Sequence, residues 1–177
     1  ETLYNDNNEI IQNCNSSTPV KVMENIRSAS SGKLHVLAVT RKGELYAWGS
    51  NDKGQLGTGD YQKSLLPKKV MEDVLFAEAN KYTSIALKKD GTLWTWGVLY
   101  AVDVDSITYT SVPVKIAEGV KSAALGGSFI LYIDKSGALY GLGEGIYLPS
   151  ADIGPNAFTS SPIRIMADVK KVVCDLQ

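Results

Sequence analysis

"GELYAWGSNDKGQLGTGD", residues 43–60, decides the fold. An alternating apolar run ends in Trp48-Gly49, and a string of Gly, Asn, Asp and Gln follows that offers almost nothing to a core. Forty-eight residues further on, "GTLWTWG" at 91–97 repeats the run. A recurrence at that spacing calls for a search for internal repeats before any other reading.

The search succeeds in two blocks. "TPVKVMENI", "LPKKVMEDV", "VPVKIAEGV" and "SPIRIMADV" align on Pro19, Pro67, Pro113 and Pro162, with steps of 48, 46 and 49 residues. "HVLAVTRKGELYAWG" (35–49), "TSIALKKDGTLWTWG" (83–97) and "FILYIDKSGALYGLG" (129–143) align without a gap. Gly43, Gly91 and Gly137 share one column, as do Leu45, Leu93 and Leu139. Trp48, Trp96 and Leu142 share another, followed by Gly49, Gly97 and Gly143. The chain therefore reads as a single repeat domain over 1–177, with a partial unit at 1–17, repeats at 18–65, 66–111 and 112–160, and a partial unit at 161–177.

Each second block carries apolar residues at period two on both sides of an X-Gly pair, the signature of a β-hairpin closed by a two-residue turn. The Leu column and the aromatic columns then face opposite sides of one sheet, and both sides need cover. Each first block predicts an outer strand that starts at the proline, where a missing N–H is harmless. A small-residue inner strand such as "VKSAALGG" (120–127) follows it. Four short strands in so few residues cannot bury both faces alone, so the units stack, and radially stacked four-stranded sheets are the blades of a β-propeller. The expected fold is an all-β, partial propeller of about three to four blades. In it Trp48, Trp96 and Leu142 wedge between blades, while Gly49, Gly97 and Gly143 let the chain turn away.

Composition agrees and narrows the function. There are 16 glycines in 177 residues, above the ordinary ~7% and suited to many turns. The net charge is −1 with Lys and Arg scattered, which gives no support for nucleic-acid binding. No apolar run approaches the ~20 residues that span a bilayer, so membrane insertion is not expected. The chain begins with Glu1 and has no leader pattern, so a longer parent polypeptide is expected. Cys14 and Cys174 are too few for a disulfide framework and are read as two thiols, with a single bridge as the alternative if the chain ends meet.

Residues 35–60 resemble the repeat of the regulator of chromosome condensation family. The match runs through His35, Gly43, Leu45, Tyr46, Trp48, Gly49, Asn51, Gly54, Gln55, Leu56 and Gly57. The later copies depart from it. The His column reads His35, Thr83, Phe129; "VLYAVDVDSITYTS" (98–111) and "EGIYLPSADIGPNAFTSS" (144–161) stand where Gly-Gln-Leu-Gly would be. The resemblance implies a propeller with more blades than this chain holds, so the ring closes by self-association or by additional blades in a longer chain. The wording of the repeats is similar to secreted or surface-attached bacterial members.

Catalytic chemistry finds little footing. The single histidine, His35, sits in a repeat column and is read as bonding a neighbouring turn rather than serving as base or metal ligand. Asp103 and Asp105 lack the further oxygens of a calcium loop, and Asn15-Ser16-Ser17 is a short acceptor motif of little weight. No enzyme activity, metal or cofactor is called for. Five loop aromatics, Tyr61, Tyr100, Tyr109, Tyr147 and Phe158, are candidates for contacting a partner. Tyr61 and Tyr109 both lie thirteen residues after their tryptophan, which also fits a packing role. The expected function is a non-catalytic scaffold that binds an unidentified protein through propeller-face loops. The alternatives are an exchange factor for a small GTPase, as the resemblance implies, and a structural spacer.

Overall fold

Short apolar strands with period-two alternation, punctuated by Gly, Asn and Asp, can satisfy their backbone only by pairing with one another. The computed structural model describes residues 2–4, 10–13, 19–100, 107–143 and 159–174. Strands β1 (Thr2–Tyr4) and β2 (Ile10–Asn13) form an antiparallel pair. Three four-stranded antiparallel sheets follow. The first holds β3 (Ile26–Ser31), β4 (His35–Thr40), β5 (Leu45–Gly49) and β6 (Ser64–Met71), side by side in that order. The second holds β7 (Val74–Ala79), β8 (Thr83–Lys88), β9 (Leu93–Tyr100) and β10 (Ile107–Ala117). The third holds β11 (Val120–Leu125), β12 (Phe129–Asp134), β13 (Leu139–Gly143) and β14 (Thr159–Met166). With no helix among the described residues and the first strands β3, β7 and β11 in contact along one side, this is an open, partial β-propeller.

The sheets run out of phase with the sequence blocks. The proline strand is the last, outermost strand of its sheet, and the small-residue strand after it opens the next sheet. The turn between them is tight because one column supplies left-handed backbone: Asn25, Asp73, Gly119 and Asp168 have φ of 57, 59, 67 and 60°. Asn, Asp and Gly are the residues that enter this region at least cost. The prolines do not start the outer strand as expected. Pro67, Pro113 and Pro162 lie inside β6, β10 and β14, each within a gap in the strand register. At such an irregularity no ladder bond asks for the missing N–H.

The hairpins also differ from the two-residue turn read from the sequence. The Gly43 N–H donates to the Thr40 carbonyl (2.9 Å) and the Thr40 N–H to the Glu44 carbonyl (2.9 Å). Gly91 with Lys88 and Thr92, and Gly137 with Asp134 and Ala138, repeat the pattern. Only the glycine has positive φ, whereas a primed two-residue turn needs it at both central residues. The loop is therefore a type I turn closed by a glycine bulge. The Gly43, Gly91 and Gly137 carbonyls then accept from Val74, Val120 and Val169 N–H of the following unit, at 2.9 Å each.

The core lies between sheets. Leu37, Val39 and Leu45 of the first sheet meet Ala77, Ala79, Ala86 and Trp96 of the second. Ile85, Leu87 and Leu93 on its other face meet Val120, Leu125, Ile130 and Tyr132 of the third. The Leu column thus points toward the following sheet and the aromatic columns toward the preceding one. Residues 170–174, expected to begin a further blade, form no strand, since no described strand lies beside them.

Candidate functional site

The loop of residues 50–63 connects β5 to β6, and it is not the core-less string its composition suggests. Asn51, Gln55 and Leu56 are at most 1% exposed. The Asn51 amide organises the loop: its Nδ2 donates to the Asp60 carbonyl (2.8 Å) and carboxylate (3.0 Å), and its Oδ1 accepts from Leu56 N–H (2.9 Å). Asp60 also accepts from the Gln62 N–H and the Thr58 hydroxyl. These bonds, the Gln62 one foremost, hold its carboxyl below the usual carboxylate range.

So ordered, the loop leans on the second sheet. The Gln55 carbonyl accepts from Trp96 Nε1 (2.9 Å) and from the Ser84 hydroxyl (2.8 Å). The Ser84 hydroxyl has one proton, spent on Gln55, so it accepts from His35 Nε2 at 2.9 Å. His35 is then the Nε2–H tautomer, with a buried bare Nδ1. Burial pushes its pKa down to about 4. Gly57 lies flat on the indole, where a Cβ would stand 2.8 Å from Nε1. The expected bond from His35 to a turn is thus made instead to a strand serine of the adjacent sheet. Four residues from two sheets form a lock that seats Trp96 at 0% exposure.

Trp48, expected to fill the same role, is only half-buried. Leu142 is half-buried as well, against the third sheet's neighbour. The expected turn at the following glycine does hold. Gly97 has φ of 86°, and a side chain there would collide with the Tyr82 carbonyl.

Near the axis a second device links the sheets. Ser30 Oγ accepts from Ala79 N–H (3.0 Å), and Glu78 in the same repeat column accepts from Leu125 N–H (2.9 Å). Burial pushes the Glu78 carboxyl up despite that bond. Asn80 Nδ2 donates to the Gly126 (2.6 Å) and Gly127 (3.1 Å) carbonyls. Sequence reasoning missed Ser84, Asn80 and the Gln55 carbonyl. One signal was available: Gly32 and Gly126 precede the rings of His35 and Phe129 by three residues, while Asn80 precedes the small Thr83. A Cβ at Gly32 or Gly126 would strike that ring.

Of the five loop aromatics, Tyr61 and Tyr109 are 50% and 44% exposed, so their shared column is not a buried packing position. Lys53 Nζ of the first loop stands 4.5 Å from the Tyr109 ring centre, and the Gly59 N–H donates to the Ser111 carbonyl (2.8 Å). The first loop and the outer strand of the second sheet are therefore continuous. Val112, 52% exposed, lies beside Gly59 of that loop, and Leu66 of β6 is 48% exposed. Tyr100 lies in β9 with its backbone paired to Ile107. Tyr147 and Phe158, like Cys14, Asn15, Asp103 and Asp105, fall outside the described residues. Cys174 is a free thiol, and among the described residues no three His, Cys, Asp or Glu side chains gather as metal ligands. Among the described residues no helix is long and apolar enough to cross a membrane.

Comparison with known proteins adds to this geometry. The regulator of chromosome condensation (RCC1) repeat matches residues 42–86, and a second description of the same repeat matches 26–55. The ultraviolet-B receptor UVR8 of Arabidopsis thaliana is 46% identical over 50 residues, 27% of this chain and 11% of UVR8. A protein RCC2 homologue of Xenopus laevis is 50% identical over 40 residues, 22% of this chain and 8% of that protein. Human WBSCR16 superposes with a TM-score of 0.67 at 28% identity, covering 78% of this chain and 37% of WBSCR16. Prp20p of Saccharomyces cerevisiae, whose structure is described with its binding to Gsp1p and histones, gives 0.67 at 24% identity over 85% of this chain and 42% of Prp20p. The chain thus spans only a small part of its curated relatives and well under half of these structures. These relatives are eukaryotic and lend no support to a bacterial surface origin.

Proposed function

We propose that this chain, which belongs to the regulator of chromosome condensation repeat family, is a non-catalytic scaffold that binds another protein through the loops at one end of its sheets. The observation that carries the reading is the surface around Tyr61 and Tyr109. Two exposed tyrosines from successive sheets, a lysine over one ring and the exposed Val112 beside Gly59 lie on a hydrogen-bonded loop base. Rigid aromatic anchors with an apolar surround suit a protein contact, since they lose little entropy on docking. The partner is an unidentified protein.

Photo-crosslinking from position 62 in extracts of the source organism tests this, comparing the native chain with Tyr61→Ser/Tyr109→Ser. A specific adduct lost in the double variant is expected. An adduct pattern equal in both, or none at all, counts against the scaffold. The exchange-factor alternative predicts accelerated nucleotide release from a small GTPase, and a flat release assay removes it. The ring is completed either by a second copy or by further blades of a longer polypeptide.

A further inference from the structure

The two ends of the sheets treat their lysines differently. At the end with the tight turns, Lys69 pairs with Glu44, Lys89 with Asp73 and Lys115 with Glu118. At the loop end, Lys33, Lys53 and Lys81 form no ion pair among the described residues. Two of them stand over rings instead: Lys53 Nζ is 4.5 Å from the centre of Tyr109, and Lys81 Nζ is 5.4 Å from that of Tyr82. A ring face attracts the charge but offers no oxygen, so the ammonium N–H donors stay open to an anion.

These groups are contiguous. The Val98 N–H donates to the Tyr82 carbonyl (3.0 Å), and Val98 faces Tyr109 in the strand register, so Tyr82, Val98 and Tyr109 cross the sheet end in one row. A Cβ at Gly32 would overlap the Asn80 carbonyl, so the hairpin tip that carries Lys33 abuts the tip that carries Lys81. The carboxylates of the same loop are already engaged. Asp52 Oδ1 accepts from the Ser50 hydroxyl (2.9 Å) and the Gln55 amide (3.3 Å). Asp60 Oδ1 accepts from Asn51, Thr58 and Gln62.

We infer that this loop end binds an acidic peptide segment of a partner protein, with carboxylates on Lys33, Lys53 and Lys81 and an apolar side chain against the Tyr82 and Tyr109 rings. The inference rests on the scaffold reading above and names the partner's chemistry. Charge complementarity carries it, because the open cations sit beside aromatic surface and apart from acidic neighbours that could neutralise them. A nucleic-acid strand fits less well. It places a phosphate at about every 3.4 Å and would meet Asp52 and Asp60, whereas a peptide can space its carboxylates around them.

The probe is a fluorescent peptide of Glu-Glu-Phe repeats, titrated with the full chain and read by anisotropy. Binding that weakens as salt is added is expected. Lys33→Gln/Lys53→Gln/Lys81→Gln is expected to weaken it roughly tenfold. Lys69→Gln/Lys89→Gln/Lys115→Gln, with the same net charge, is expected to leave it unchanged. The three single loop-end variants keep the comparison available if a triple variant loses stability. No binding, or equal weakening by both triple variants, overturns the proposal. So does an oligothymidylate of equal charge that displaces the peptide at a lower concentration. The adduct from position 62 separates the two readings. If it is lost in the tyrosine double variant but kept in the loop-end lysine variant, the scaffold stands and the acidic partner falls.

Discussion

The interface between the first and second sheets and that between the second and third solve one packing problem with different chemistry. The first uses hydrogen bonds: His35 to Ser84, Ser84 and Trp96 to the Gln55 carbonyl. The second has lost every member together. Thr83 stands for His35, Ile130 for Ser84 and Leu142 for Trp96, and the Gly-Gln-Leu-Gly loop is absent. Volume moves in the same way. The small Ala86 stands opposite Trp94, whereas Tyr132 fills that column in the third sheet and stacks on Tyr140, with ring centres 5.0 Å apart and planes 9° apart. The lesson is that the buried polar group and its partner are replaced as a set. A half-dismantled network leaves an unpaired buried donor or acceptor, which costs more than an apolar exchange of both.

The largest test of that difference is truncation of the wedge. Trp96→Ala is expected to cost about 3–5 kcal/mol, through its cavity and the lost indole bond to the Gln55 carbonyl, which keeps its bond from Ser84. Leu142→Ala, at a half-buried site, is expected to cost about 1–2 kcal/mol. Urea denaturation measures both, and equal losses would erase the distinction between the interfaces.

Acid should also strike the first interface selectively. His35 is held at about 4, against 6.5 for a free imidazole. Between those values the unfolded chain takes up a proton that the folded chain refuses. The contribution is therefore complete above pH 6.5 and is lost as pH falls toward 4, by roughly 3 kcal/mol in all. His35→Phe copies Phe129 of the third sheet. Subtracting its stability profile from that of the native chain cancels the carboxylates, and the difference should slope only in that window. A flat difference would mean the imidazole is not buried as a neutral base.

A smaller effect separates pair from part. Ser84→Ala strands His35 Nε2 and should cost about 1–3 kcal/mol. His35→Thr/Ser84→Ile, which installs the second interface's pair, should cost less than the sum of its single changes in a double-mutant cycle. Strict additivity would show that the set behaves as independent residues. Least of all, Tyr61→Ala and Tyr109→Ala should leave stability within about 0.5 kcal/mol, as exposed side chains do. A larger loss would return these tyrosines to a packing role.

Much of the frame was legible in the residues. The Gly, Leu and Trp-Gly columns mark hairpins that repeat, and sheets apolar on both faces must stack, so the strand content and the propeller followed from periodicity and burial alone. The loop of residues 50–63 was misread because composition counts side chains. Its Leu56 joins the core, its Asn51 side chain bonds inward, and its Gln55 main-chain carbonyl receives the indole, and which of these turn inward is not marked by residue type. The hairpin type was missed for a related reason. An X-Gly pair fits both the primed turn and the glycine bulge, and only the φ of the preceding residue separates them.

The sequence by itself determined the repeat, its β-strands and the need for neighbours on both faces of every sheet. Those are properties of local sterics and of alternation, which any one repeat carries within itself. Only the tertiary structure decided which sheet each strand joins, that His35 meets Ser84, and that Trp96 is fully buried while Trp48 is half-buried. The His35 and Trp96 contacts join residues forty or more apart in the chain, brought within 3 Å by the stacking of one sheet on the next.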